Sequence, residues 1–301
     1  MLREYAVEPR LIADYASARY FLEKFGCDRG RVLAQFPKSW LRMVYDSLRC
    51  KPVEKARVEE LLARVKSTGL ARRPGSSFDP NRGWLDQAVE EDARAASMAF
   101  EAILADGAER PPKVVNGHVF DETDHRWAVA TDRIVARTAK DMADAIHPLL
   151  DISTHVRFID PYFYGVGRDR TLPIREFIAR ATSNPRSQRA PLLEIHAANP
   201  NERSSALVEE ALRQFSARLP ADVSVTFTQW GERPGGDQFH NRYVLTDVGG
   251  VEFGTGLDQK PGQATDRVSL LWEATRKLLW ARFDATSTAY VMDGPTRALK
   301  R

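Results

Sequence analysis

Cysteine is scarce: Cys27 and Cys50 are the only two in 301 residues, and no metal-like spacing joins them. That excludes a disulfide scaffold and a zinc-finger type of site, and it fits free thiols in a reducing cytosol. Long apolar runs are missing as well. No stretch of about 18 apolar residues occurs, and the opening M-L-R-E-Y-A-V-E lacks the apolar core of a secretory signal. A cytoplasmic protein is expected, with any membrane contact peripheral. Neither a phosphate-binding P-loop nor a dinucleotide fingerprint is present. His118 and His125 sit in polar turns, His147 precedes Pro148, and none combines with cysteine or paired carboxylates into a metal constellation. No cofactor and no metal are implied. Internal repeats are absent too.

What is present is ordinary for a soluble globular protein, with 43% hydrophobic and 28% charged residues, and the length allows two domains. Charge is uneven. Residues 1–75 hold sixteen Lys/Arg against nine Asp/Glu, whereas the whole chain carries only +3. A basic third of this kind reads either as a nucleic-acid or anionic-surface footprint or as a solvated helical face. Leu11, Tyr15, Ala18, Leu22 and Phe25 form an apolar stripe that predicts a helix over 8–25, stopped by Gly26. Further helices are expected over 39–48 and 53–66. Residues 1–75 therefore read as a basic helical region, either a helix-turn-helix-like unit exposing Lys38, Arg42 and Arg49 to nucleic acid or a scaffolding bundle.

Residues 76–150 read as linker and connecting helices. The best linker candidate is the Pro-, Gly- and Ser-dense stretch 72–83. A helix is expected over 85–105. Asn116-Gly117 between Val114-Val115 and Val119-Phe120 predicts a hairpin, and another helix is expected over 131–150. From 151 to 301 the pattern alternates in the α/β manner: strand 155–159, helix 172–182, strand 192–197, helix 203–218, strand 223–229. Residues 268–292 leave strand and helix open. The fold class is α/β, a helical region followed by a central mixed sheet covered by helices.

The chemistry concentrates in F-H-N-R-Y-V-L-T-D-V-G-G-V-E-F-G-T-G-L-D, residues 239–258. Alternation over 240–246 followed by Asp247, Gly249 and Gly250 predicts a β-hairpin. His240 and Arg242 share one strand face. An imidazole can act as nucleophile or proton shuttle, and a guanidinium can grip phosphate through two parallel hydrogen bonds. The pair points to phosphodiester chemistry or phosphate binding. Asp160 and Tyr162 after the first strand, and His196 after the second, occupy strand ends where α/β sheets gather functional groups. Each of the three also reads as structural.

The spacing His240, Arg242, Asp247, Gly254, Thr255 resembles the phospholipase D superfamily, with Glu252 where its nucleases often carry an acid. Arg242 stands in place of the family's Lys and Leu257 in place of its Asn. The H-[DN]-R…G-x-G-L-D variant, together with Ile159-Asp160-Pro161-Tyr162, is more closely similar to the phospholipase-D-like C-terminal domain of MIT-domain proteins of cytokinesis. The resemblance covers roughly residues 150–293. It implies His240 as nucleophile giving a phosphohistidine, Arg242 as phosphate clamp, and Asp247 and Glu252 as further catalytic residues. Thr255, Asp258, Asp160, Tyr162 and His196 would contact substrate. One motif per chain implies a homodimer if the protein is active. The MIT-type relatives imply instead a silent domain that dimerises and binds anionic lipid. Three readings therefore stand open: a metal-independent nuclease (by analogy, in prokaryotic defence), a phosphate-binding module for nucleic acid or anionic lipid, and a scaffold for an unknown protein partner. Nucleic acid is the preferred partner, because no basic amphipathic helix with exposed Trp or Phe stands out.

Overall fold

The computed structural model describes the chain except residues 96, 97, 184, 185, 187, 188 and 200–204. It resolves into two compact units, Met1–Thr131 and Asp132–Arg301, each of α/β type.

The first unit alternates β1 (Arg3–Val7), α1 (Tyr15–Leu22), β2 (Arg31–Gln35), α2 (Trp40–Ser47), α3 (Pro52–Thr68), β3 (Leu70–Arg72), α4 (Trp84–Arg94), β4 (Ala102–Ala105) and β5 (Val114–Asn116). All five strands run parallel, in the order β3-β2-β1-β4-β5. Parallel neighbours need crossovers, which helices supply for all but the β4–β5 pair, joined by the helix-free stretch 106–113. Tyr5 and Val7 enter one apolar cluster with Phe25, Trp40 and Trp127, while the intervening Ala6 enters another with Phe36, Trp84 and Phe100. Local signals fix the helix starts. Asp14 accepts the Ser17 amide at 2.9 Å ahead of α1, and Pro52 opens α3 while Glu54 reaches back to the Lys51 amide at 3.0 Å.

Residues 1–75 are thus not a helical region. The expected helices over 39–48 and 53–66 are α2 and α3, and the 8–25 stripe contains α1, but they alternate with strands. The stretch 72–83 is no linker: Arg72 closes β3, and the fully buried Arg73 side chain bonds Glu4 at 2.8 Å and Glu91 at 2.9 Å. The 85–105 helix stops at Arg94, and its last part is β4. Asn116-Gly117 makes no hairpin, since β5 pairs in parallel with β4. Gly117 is needed for proximity, because a Cβ there would lie 2.4 Å from Leu11 Cδ1.

The second unit runs β6 (Asp132–Ala136), α5 (Ala139–Asp151), β7 (His155–Ile159), α6 (Arg168–Thr182), β8 (Leu192–Ala198), α7 (Ser205–Ser216), β9 (Ser224–Glu232), β10 (Arg242–Thr246), β11 (Gly250–Phe253), β12 (Thr265–Leu270), α8 (Glu273–Arg282), β13 (Tyr290–Met292) and β14 (Arg297–Lys300). Its nine-stranded mixed sheet is ordered β13-β9-β8-β7-β10-β11-β12-β6, with β14 pairing β9. The 131–150 stretch divides into β6 and α5, and residues 203 and 204 of the expected 203–218 helix lie outside the described residues. Residues 268–292 hold both a helix and strand segments. Phe158 stacks on Phe177 with centroids 5.9 Å apart. On the opposite face Ile159, Trp230, Tyr243 and Phe283 share an apolar cluster. Among the described residues no helix is long and apolar enough to cross a membrane.

Candidate functional site

β10 is antiparallel to β7, with Tyr243 opposite Ile159. The start of β10 therefore lies beside the end of β7. That register brings His240-Asn241-Arg242 next to Asp160-Pro161-Tyr162, some eighty residues earlier in the chain. The Tyr162 hydroxyl is 3.1 Å from His240 Nδ1, and the two rings meet edge to face at 89°. The Arg242 guanidinium lies 4.8 Å from the Tyr162 ring centroid, a cation–π distance. Arg170 Nη1 donates to the Tyr162 carbonyl at 2.9 Å.

Asp160 is buried beneath this group and accepts the Tyr162 amide at 3.0 Å. Burial raises its carboxyl pKa, against the lowering influence of that amide and of the Arg242 and Arg170 charges. Arg242 is half-buried, and its Nε is buried without a hydrogen-bond partner. Its side chain makes no ion pair or hydrogen bond among the described residues. His240 is exposed, with only Nδ1 engaged. The arrangement offers one planar cation on an aromatic face, a second cation nearby and an imidazole at the surface, which is what gripping a phosphate oxygen requires.

Other expected residues lie elsewhere. Asp247 sits at the far end of β10, about 17 Å away at the usual rise for five residues. There its carboxylate accepts from the Thr154 amide at 3.0 Å and the Thr154 hydroxyl at 2.6 Å. Glu252 faces Tyr243 across the hairpin, whereas Arg242 faces Phe253, so Glu252 and Arg242 project from opposite faces. Burial raises the Glu252 carboxyl pKa. The Thr255 hydroxyl donates to Asp266 at 2.7 Å, and Asp258 forms an ion pair with Arg137 at 2.8 Å. Leu257 is core, at 0% exposure. His196 is locked inside: Trp230 Nε1 donates to its Nδ1 at 2.9 Å, which leaves Nε2–H to donate to Glu194 at 2.8 Å. The structure thus unites His240, Arg242, Tyr162 and Asp160. Asp247 and His196 are given structural partners instead, and Glu252 lies on the other face of the hairpin.

Sequence reasoning missed a second basic feature, built on α6 and just after α7 beside the loop that follows β7. Arg168, Arg175 and Arg218, with Thr171 and Gln214, line a cavity of about 90 Å³. None of the three guanidinium groups has an ion pair among the described residues, and Arg175 Nε is buried without a partner. Burial, followed by the Arg218 charge, lowers the Arg175 pKa; Glu176 opposes and Arg168 adds to the lowering. Gly165, at φ 72°, allows the loop to approach Ala211, whose carbonyl oxygen a Cβ would meet at 3.1 Å. The visible signal was G-V-G-R followed by an arginine seven residues on, a spacing that puts both on one helix face. In the first unit, Lys38, Arg42 and Arg49 gather around a single large crevice.

No family model matches the chain, and no curated protein matches it. Among solved structures, TrmBL2, an archaeal chromatin protein with a novel mode of DNA binding, aligns over 86% of this chain and 72% of its own. The identity is 11% and the TM-score 0.28, too low to carry an argument about fold or function.

Proposed function

We propose that the Asp132–Arg301 unit binds the phosphodiester backbone of nucleic acid through Arg242, His240 and Tyr162. The observation that carries this reading is the Arg242 guanidinium, held on the Tyr162 face and lacking a hydrogen-bond or ion-pair partner among the described residues. The nearby Asp160 carboxylate makes no hydrogen bond or ion pair to the guanidinium, so its donors stay open, and a phosphate oxygen supplies the acceptors they need. Tyr162 adds a ring on which a base can stack, which favours nucleic acid over a lipid headgroup. The cavity lined by Arg168, Arg175 and Arg218, bordered by the same loop at Gly165–Gly167, offers a place for a further phosphate. Within one chain the reading is binding without cleavage, because Leu257 cannot donate to an oxyanion, Asp247 is tied to Thr154 and Glu252 projects from the opposite face.

A second reading, cleavage through His240, is favoured by one observation: its Nε2 makes no hydrogen bond among the described residues. With Nδ1–H donating to Tyr162, Nε2 would present its lone pair to phosphorus. Departure of the leaving group would need a second His240, hence a homodimer that faces two copies of this surface.

One assay separates the two readings. Single- and double-stranded DNA and RNA are incubated with the protein in EDTA, and binding and cleavage are followed together for wild type, Arg242→Ala and His240→Ala. The binding reading expects retention of nucleic acid, about tenfold weaker in Arg242→Ala, without cleavage. Cleavage lost in His240→Ala would establish the second reading. Retention only by anionic vesicles would contradict both.

A further inference from the structure

The strand order β3-β2-β1-β4-β5 reverses direction at β1. The chain builds outward from β1 through β2 to β3, then returns to the other side of β1 for β4. In open parallel sheets, ligands bind outside the carboxyl ends of the strands at such a point. Here that position holds a crevice of about 1700 Å³. Glu8 and Arg10 follow β1, Lys38 and Ser39 follow β2, Phe78 comes after β3, and Asp106 follows β4. The site is rigidly built. Trp40 Nε1 ties α2 to the Val7 carbonyl at 2.7 Å, and Trp84 Nε1 ties α4 to the Phe36 carbonyl at 3.1 Å.

The lining has three chemistries. Arg10, Lys38 and Arg49 are exposed, and their side chains make no ion pair or hydrogen bond among the described residues. Arg42 adds a fourth cation, weakly engaged with Asp46 at 3.7 Å. The half-buried Met43, Phe78 and Leu85 supply an apolar wall. Glu8, which accepts the Asp106 amide at 2.8 Å, and Asp106 itself supply carboxylate acceptors between β1 and β4. A ligand that satisfies all three carries phosphate for the cations, a flat ring for the wall and hydroxyls for the carboxylates. We infer that this crevice binds a nucleotide, with its phosphates on Lys38, Arg49 and Arg10, its base against Met43 and Phe78, and its ribose beside Glu8.

Two sequence features refine the mode. Glu8-Pro9-Arg10 follows β1 where dinucleotide-binding folds place a glycine-rich turn. Proline has no N–H to offer a pyrophosphate, so side chains rather than turn amides hold the phosphates. At the end of β2, where a carboxylate commonly takes the ribose diol, this chain has Lys38, which favours phosphate there. The volume exceeds the 300–1000 Å³ usual for a small-ligand pocket and accepts either a free nucleotide or the phosphorylated end of a strand.

The test titrates the full chain with radiolabelled, otherwise unmodified ATP by equilibrium dialysis and compares wild type with the Lys38→Gln/Arg49→Gln double variant. Both residues are exposed and their side chains have no hydrogen-bond or ion-pair partner among the described residues, so the fold is retained, which a matching thermal melt verifies. Saturable binding that weakens at least tenfold in the double variant is expected. Displacement by AMP or by a 5′-phosphorylated oligonucleotide supports the inference and identifies the source of the nucleotide. The inference is overturned by absence of saturable binding at millimolar probe, or by equal affinity in the double variant. It is also overturned if binding falls in Arg242→Ala and not in the double variant, which assigns the nucleotide to the other unit. Displacement by inorganic pyrophosphate as strong as by ATP also overturns it, because base and ribose would then contribute nothing.

Discussion

Glu194 gathers three basic partners in the second unit. It meets His155 Nε2 at 2.5 Å, His196 Nε2 at 2.8 Å and Arg157 Nε at 3.1 Å. Burial works to raise its pKa, but the His155 and His196 hydrogen bonds and the Arg157 charge outweigh this and hold the carboxyl below its ordinary range. His196 is itself held below its ordinary value, by burial first and against the pull of Glu194. Both groups bind protons more readily unfolded than folded. Their stabilisation is present above the unfolded values, about 6.5 for His and about 4.3 for Glu, and is lost as pH falls toward the folded ones. Denaturant melts from pH 8 to pH 3 should show stability falling first below about pH 6.5 and again below about pH 4. A midpoint flat across that range would contradict the arrangement. The same cluster explains why His196, which a strand-end position nominated for function, serves structure: both its nitrogens are committed.

At the scale of the element, the β10–β11 hairpin separates what its sequence motif groups. His240 and Arg242 stand at one end and Asp247 at the other, where it ties the hairpin turn to the start of β7. Asp247→Ala should cost about 1–3 kcal/mol of stability, from the lost Thr154 bonds, and leave nucleic-acid affinity unchanged. Loss of binding in a variant that melts normally would return Asp247 to the site. The hairpin itself was legible because turn residues follow a period-two strand, and β7, β8 and β9 were legible because apolar runs alternate with helical stripes. The first three strands of the first unit were not. R-E-Y-A-V, R-V-L-A-Q and L-A-R are three to five residues long, charged at their ends and buried on both faces, so they show neither alternation nor a long apolar run. Asn116-Gly117 misled for a related reason, because close packing on Leu11 rather than a turn demands the glycine. The meeting of Asp160-Pro161-Tyr162 with His240-Asn241-Arg242 was suggested by motif order alone. The Arg168, Arg175 and Arg218 cavity depends on α6 and α7 approaching each other, which no local pattern encodes.

At the scale of the whole molecule, each unit has its own sheet and its own apolar clusters, which is what independent folding requires. Fragments 1–131 and 132–301 should each melt cooperatively by circular dichroism. A fragment without a cooperative transition would mean that the two cores are not self-sufficient. The division also separates the two proposed anion-binding surfaces, the crevice of one unit and the His240–Arg242 surface of the other.

The measurement that tests the central claim most directly is the salt dependence of single-stranded oligonucleotide affinity, for wild type beside Arg242→Ala. Each phosphate contact contributes a slope of about −0.7 in log Kobs against log salt. Arg242→Ala should weaken binding about tenfold at low salt and make the slope shallower by about 0.7, across all sequences alike. An unchanged slope and affinity in a folded Arg242→Ala protein would mean that Arg242 meets no phosphate, and the proposed function would fall with it.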